Sequence, residues 1–170
     1  MIACRAYVGI GSNVDRIKNL QAGVRALRAQ FLTLIISNIY ANSAVGFVGD
    51  DFYNLVVGFD TELSPYALSD SLHQIEAAHG RRRGEAKFAP RTLDLDLLLY
   101  GDLVLNSPGL ILPRADVLDY GFVLLPLAEI AGGARHPVLN VTYAELWQRH
   151  LRAGKPSDLT RVTDFLEETK

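Results

Sequence analysis

Hydrophobic and polar positions fall into two alternating rhythms along this chain. Ile2 to Ile10 alternates through Ala6, Val8 and Ile10, which predicts a strand that Gly11-Ser12-Asn13 ends. Val14, Ile17, Leu20, Val24, Leu27 and Phe31 then recur every three or four residues, the spacing of one apolar helix face. Ser12 or Asn13 is placed to cap that helix, with Asp15 in its first turn. Leu32 to Ala41 predicts a second strand and Phe52 to Thr61 a third, separated by a loop from Asn42 to Asp51 whose Phe47 and Val48 point to a ligand-covering tip. Ser64-Pro65 is a helix start, Leu68, Leu72 and Ile75 form its apolar stripe, and Gly80 is its stop.

A strand pattern returns in Leu93 to Tyr100, where Leu93, Leu95, Leu97 and Leu99 alternate with Asp94, Asp96, Leu98 and Tyr100. The odd leucines are expected to enter the core together, leaving Asp94 and Asp96 side by side on the opposite face. Farther on, Gly101-Asp102 reads as a turn into Leu103-Val104-Leu105, followed by a loop with Pro108, Gly109 and Pro113. Phe122 to Ala131 predicts a short helix containing Pro126. Thr142 to Glu145 is a capping box opening a helix through Leu146 and Trp147, and the tail from Lys155 is polar. The order strand, helix, strand, strand, helix, strand, helices predicts an α+β fold: a ferredoxin-like sandwich, mostly antiparallel, with two helices on one sheet face.

Adjacent carboxylates repel and call for a counter-charge. Mg²⁺ is one answer, since it is held by one or two carboxylates plus substrate phosphates. Just upstream, Arg81, Arg82, Arg83, Lys87 and Arg91 stand against the single acid Glu85. A basic loop running into a carboxylate pair is the layout in which a polyphosphate and its metal would meet, although Asp-x-Asp on a strand also occurs as a plain solvated face. Asn54 interrupts an apolar strand; its amide can read a heterocycle through a donor and an acceptor, or bond backbone at a strand end. Glu76 falls in the last helical turn, where the dipole disfavours a carboxylate, so it calls for a cationic partner.

Composition narrows the remaining classes. A chain of 170 residues, 49% apolar and 21% charged, is expected to form one domain over 1–170. A net charge of −2 argues against a general nucleic-acid binder. Cys4 is the only cysteine, leaving no disulfide framework and no cysteine metal site, and it reads as a buried thiol. His73 and His79 read as surface residues, His136 and His150 as structural ones. No signal-peptide pattern and no membrane-length apolar run occur, so a cytoplasmic protein with no membrane partner is expected.

The run Pro90-Arg91-Thr92-Leu93-Asp94-Leu95-Asp96 resembles the signature of the 6-hydroxymethyl-7,8-dihydropterin pyrophosphokinase family of the folate pathway. The likeness extends from Gly11-Ser12-Asn13 to Gly121-Phe122, Pro126-Leu127 and Glu129-Ile130-Ala131, leaving the C-terminal fifth unmatched. The resemblance implies transfer of pyrophosphate from ATP, the co-substrate, to the hydroxymethyl group of a reduced pterin, with release of AMP. It implies two Mg²⁺ ions on Asp94 and Asp96, and Arg81, Arg83 and Arg91 as catalytic and nucleotide-binding cations. Glu76 and Leu97 match the nucleotide side, where Arg114 is expected to substitute by its charge for a family histidine. Asn54, Phe52 and Phe122 match the pterin slot, and Asn42 and Val45 the mobile loop beside it. Small-molecule partners only, in a monomer or weak dimer, are expected.

Departures from the family pattern bear mainly on ATP. Pro113-Arg114-Ala115 stands where the family usually has Pro-His-Tyr, and Tyr120 where it tends to have Arg before Gly-Phe. Asn42-Ser43-Ala44 lacks the usual loop prolines, and Phe88 replaces a common Trp. Three readings follow: an active pyrophosphokinase, a relative acting on another pterin or handling the nucleotide differently, and a non-catalytic pterin- or nucleotide-binding paralogue.

Overall fold

A computed structural model describes residues 2–43, 49–80, 92–155 and 158–163. Its central sheet is built from β1 (Cys4–Ser12), β2 (Ile35–Ile36), β3 (Ile39–Asn42), β4 (Phe52–Thr61), β5 (Asp94–Tyr100) and β8 (Thr160–Val162). The strand order is β5-β1-β4-β3-β8, with β2 also paired to β4 and every pairing antiparallel. Helices α1 (Arg16–Gln30) and α2 (Pro65–Ala78) connect β1 to β2 and β4 to β5, so each split βαβ unit brackets a strand of the other.

The apolar stripes account for the layers. Leu20, Val24 and Leu27 of α1 and Leu68, Leu72 and Ile75 of α2 bury against Val8, Ile10, Leu55, Val57, Leu95 and Leu97. Ser64 caps α2 by accepting the Ala67 N–H, Pro65 fills the first turn, and Gly80 at φ +86 follows its end. The opposite sheet face is also covered, which the chain pattern did not predict. There α4 (Gly121–Ala131) and α5 (Tyr143–Arg152) place Leu124, Leu127, Tyr143 and Leu146 over Tyr7, Val56, Leu98 and Leu99. Thr142 caps α5 by accepting the Glu145 N–H, while the Glu145 carboxylate pairs with Arg149 and Arg152.

Irregular strands produce most of the differences from expectation. The predicted strand at 32–41 is two short ones. Ile36 pairs with Val57 but Tyr40 with Asn54, so one extra residue is taken up between them. Ser37 fills the gap: its N–H donates to the Val56 carbonyl and its Oγ accepts the Val56 N–H. A second bulge falls in β5, where Val8 pairs with Leu97 and Tyr7 with Leu99. Leu98 is the extra residue. Leu93, Leu95 and Leu97 therefore face α1 and α2 as expected, whereas Leu99 turns to the α4 side.

Further elements lie where loops or tails were expected. β6 (Leu105–Ser107) and β7 (Leu110–Leu112) form a hairpin, α3 (Asp116–Asp119) precedes α4, and β8 draws the polar tail against β3. The first strand reaches Ser12 rather than stopping at Ile10. Asp15, with no side-chain capping bond, takes the cap position of α1 that Ser12 or Asn13 was expected to fill. Cys4 is half-buried rather than buried, and burial raises its thiol pKa, with Asp102 and Asp60 adding to the effect. Among the described residues no helix is long and apolar enough to cross a membrane.

Candidate active site

Asp94 and Asp96 share one face of β5, both partly exposed. The residues opposite them on β1 are glycines: Asp94 pairs with Gly11 and Asp96 with Gly9. The next strand places Asn54 beside Gly11 and Val56 beside Gly9. Gly11 is thus the floor between the carboxylates and the Asn54 amide, and a Cβ there would sit 2.7 Å from Asn54 Oδ1. Val56, Leu98 and Leu99 farther along this face lie beneath α4 and α5, so the carboxylates and Asn54 occupy the end beyond those helices.

The amide side is held by a chain of side-chain bonds. Asn54 Nδ2 donates to Asn42 Oδ1, and Asn42, buried, donates onward to the Ser43 carbonyl 3.1 Å away. Phe52 pairs with Asn42 and lies buried on the same face. Phe122, in the first turn of α4, stacks on Tyr120 with ring centroids 5.0 Å apart. Glu129 ties α4 to β3: it accepts from the Asn38 amide at 2.6 Å and from the Tyr40 hydroxyl. Burial, and then the bond to Glu129, push the Tyr40 pKa up to about 12, so this hydroxyl keeps its proton through the neutral range.

The nucleotide-side candidates collect at the other edge. β5 is an edge strand, and a cavity of about 60 Å³ opens between it, α2 and the β6–β7 hairpin. Leu97, Asp96, His73, Leu110 and Arg114 line it. His73 is exposed, as expected, yet contributes to this wall. Arg114 bonds Asp116 through Nε at 2.9 Å and approaches Asp96 to 3.6 Å. Burial works against its charge, but Asp96, Asp116 and Asp94 outweigh that and raise its pKa. Glu76 is buried in the last turn of α2. At the junction of β1 and β5, Ser12 Oγ donates to the Thr92 carbonyl at 2.6 Å, fixing the start of the carboxylate strand.

The structure therefore brings Asp94, Asp96, Asn54, Asn42 and Phe52 onto one face, and Leu97 and Arg114 to its adjoining edge. Val45, Arg81, Arg83 and Arg91, with Phe47 and Val48, lie outside the described residues. Gly9 and Gly11, which lie between these strands, were not among the candidates read from the sequence, although a Gly-x-Gly on a strand is a signal for close approach. Asp116 and the Glu129–Tyr40 tie were also missed; neither has a local sequence signature.

Among the described residues no cluster of three or more His, Cys, Asp or Glu forms. A carboxylate pair on a glycine floor nevertheless fits Mg²⁺ whose remaining ligands are phosphates and water. Fold and site together define a class: a split-βαβ protein with a carboxylate pair and an arginine at one sheet edge, beside two bonded side-chain amides. The family model described as 7,8-dihydro-6-hydroxymethylpterin-pyrophosphokinase (HPPK) matches residues 7–132, and this chain belongs to that family. A Bacillus subtilis relative, 2-amino-4-hydroxy-6-hydroxymethyldihydropteridine pyrophosphokinase, is 37% identical over 154 residues, covering 88% of this chain and 90% of its own. The folic acid synthesis protein fol1 of Pneumocystis carinii is 32% identical over 96% of this chain, which spans 22% of that longer protein. A crystal structure of Plasmodium falciparum HPPK-DHPS with STZ-DHP shares the fold at TM-score 0.72 and 15% identity, over 94% of this chain and 47% of that one.

Proposed function

We propose that this protein transfers the pyrophosphate of ATP to the hydroxymethyl group of 6-hydroxymethyl-7,8-dihydropterin. The pterin hydroxyl oxygen bonds to the β-phosphorus while the bond from that phosphorus to the α–β bridging oxygen breaks. AMP leaves with that oxygen and the hydroxyl proton passes to solvent. The observation that carries the reading is the shared face: the Asp94–Asp96 pair and the Asn54–Asn42 amides, with only glycine between them.

Each residue then has a task. Asn54 and Asn42 read the pterin edge, and Phe52 and Phe122 line the flat slot. Asp94 and Asp96 would hold two Mg²⁺ ions, which when bound would neutralise phosphate charge and lower the proton affinity of the substrate hydroxyl. Leu97, Glu76 and Arg114 form the described part of the nucleotide side. Arg81, Arg83, Arg91 and Val45 complete the reading from the sequence likeness alone. Transfers of this kind depend chiefly on positioning and charge stabilisation. We place the reaction in the cytoplasm and take residues 1–170 as one domain, since β8 joins the same sheet as β1.

The test is AMP formation from MgATP with and without the pterin alcohol. Pterin-dependent AMP supports the proposal; pterin binding without AMP supports the non-catalytic paralogue, and preference for another pterin alcohol the divergent relative.

A further inference from the structure

Arg114 is held at three points. Its backbone N–H donates to the Leu98 carbonyl at 2.9 Å, which fixes its Cα against the bulge of β5. Its Nε donates to Asp116 at 2.9 Å. Its terminal nitrogen stands 3.6 Å from Asp96 Oδ1, an ion-pair distance longer than a good hydrogen bond. The side chain is 37% exposed and Asp96 30%. One arm of the guanidinium is thus tied down while the arm nearest Asp96 is held loosely and within reach of solvent.

We propose that Arg114 is a tethered cation that competes with metal for Asp96 in the nucleotide-free protein and turns to the phosphates when nucleotide arrives. This rests on the reading of Asp94 and Asp96 as metal carboxylates. A divalent ion approaching Asp96 meets a positive charge already there, and like charges raise the cost of both occupying the site. A polyphosphate reverses the balance, because its oxygens are good acceptors for a guanidinium and good ligands for the metal. Asp116 keeps the guanidinium beside the site in both situations, so turning the free arm suffices. Metal occupancy is thereby coupled to nucleotide: the pair takes up little metal alone and much more with ATP. Asp116 is a positioning residue in this scheme.

Mn²⁺, followed by the spin resonance of the free ion, is the probe. It is titrated into wild type, Arg114→Ala, Arg114→Lys and Asp96→Asn, with and without a non-hydrolysable ATP analogue. Without nucleotide, R114A is expected to bind Mn²⁺ at least about fivefold more tightly than wild type, since a competing charge has gone. The same variant should bind the metal–nucleotide analogue roughly tenfold more weakly, since a charge-assisted phosphate contact has gone. R114K, which keeps a positive charge but loses the separate Nε bond to Asp116, should fall between wild type and R114A for Mn²⁺ alone. Damage to the fold would weaken both ligands, so opposite signs isolate the competition. Unchanged or weaker Mn²⁺ binding in R114A overturns the inference. If wild type takes up no Mn²⁺ even with the analogue, or D96N binds as well as wild type, the metal reading itself fails and the inference falls with it.

Discussion

Asp94 and Asn54 lie in one cross-strand row, joined through Gly11: Asp94 pairs with Gly11 on β1, and Gly11 with Asn54 on β4. Two strand spacings separate them, roughly 10 Å. The row gives a direct structural meaning to a strand glycine, and it places the proposed metal and pterin groups at opposite ends of one short line.

Gly11→Ala tests that line. Its Cβ would sit 2.7 Å from Asn54 Oδ1 and press the amide away from its place. Pterin affinity should fall about tenfold, equivalent to about 1.4 kcal/mol, with a smaller effect on nucleotide affinity. Calorimetry with each ligand separately would check this; equal losses would count against the row.

Asn54→Ala should weaken pterin binding more than ATP binding, by about tenfold or more, because a ligand's ring polar groups would lose their partner. The Asn42 amide also loses a bond, so Asn42→Ala should move the same affinity in the same direction. Pterin binding that is indifferent to both changes would remove the slot drawn here.

Asp96→Ala should cut AMP formation by at least roughly a hundredfold while leaving the circular dichroism spectrum and melting cooperativity intact. The side chain is partly exposed and outside the apolar clusters, so the fold does not depend on it. A variant close to wild-type rate in Mg²⁺ would show that the carboxylate pair is not the metal site.

His136 makes stability depend on pH. Burial lowers its pKa from 6.5, and its Nδ1 accepts the backbone N–H groups of Val138 and Leu139, each at 3.2 Å. Only a ring unprotonated at Nδ1 fits that place. The unfolded chain therefore binds the proton more readily than the folded one, and stability is lost as pH falls below the unfolded value near 6.5. Thermal melts between the neutral range and mild acid should show this decline, and His136→Asn, whose side-chain oxygen can accept in place of Nδ1, should flatten it. An unchanged slope in the variant would assign the dependence to another group.

Tyr143→Phe separates burial from bonding. The Tyr143 hydroxyl is buried without a hydrogen-bond partner among the described residues. Its removal should leave stability unchanged or raise it by up to about 1 kcal/mol, because an unsatisfied buried hydroxyl is costly. A denaturant midpoint that falls markedly would mean the hydroxyl is satisfied in solution.

The regular parts of the fold were legible because one rule governed them. The stripe Leu68, Leu72, Ile75 follows a single helical period from a clear cap to a glycine stop. Leu93 to Leu97 alternates as a strand should, and so exposes Asp94 and Asp96 together. The rule broke at Leu98 and Ser37, where single extra residues shift a register. Whether a strand absorbs an extra residue is decided by its partner strand, which no local pattern reports. The β6–β7 hairpin and β8 are three residues per strand, too short for alternation to register. The site followed the same division. Alternation put the candidates Asp94 and Asp96 on one strand face, and Asn54 stood out as a polar residue in an apolar strand. Gly9 and Gly11 matter only because of what the neighbouring strands place beside them. Asp116 matters only because a turn brings Arg114 back onto Leu98.

The most direct test of the account is the paramagnetic effect of Mn²⁺ on bound pterin. With a non-hydrolysable ATP analogue present, Mn²⁺ held at Asp94 and Asp96 should strongly broaden the hydroxymethyl protons of bound 6-hydroxymethylpterin, from a distance on the order of 10 Å or less. Asp96→Asn should abolish the broadening while leaving pterin bound. Pterin that binds with sharp hydroxymethyl signals beside bound Mn²⁺ would mean that the carboxylates and the amide slot do not serve one reaction.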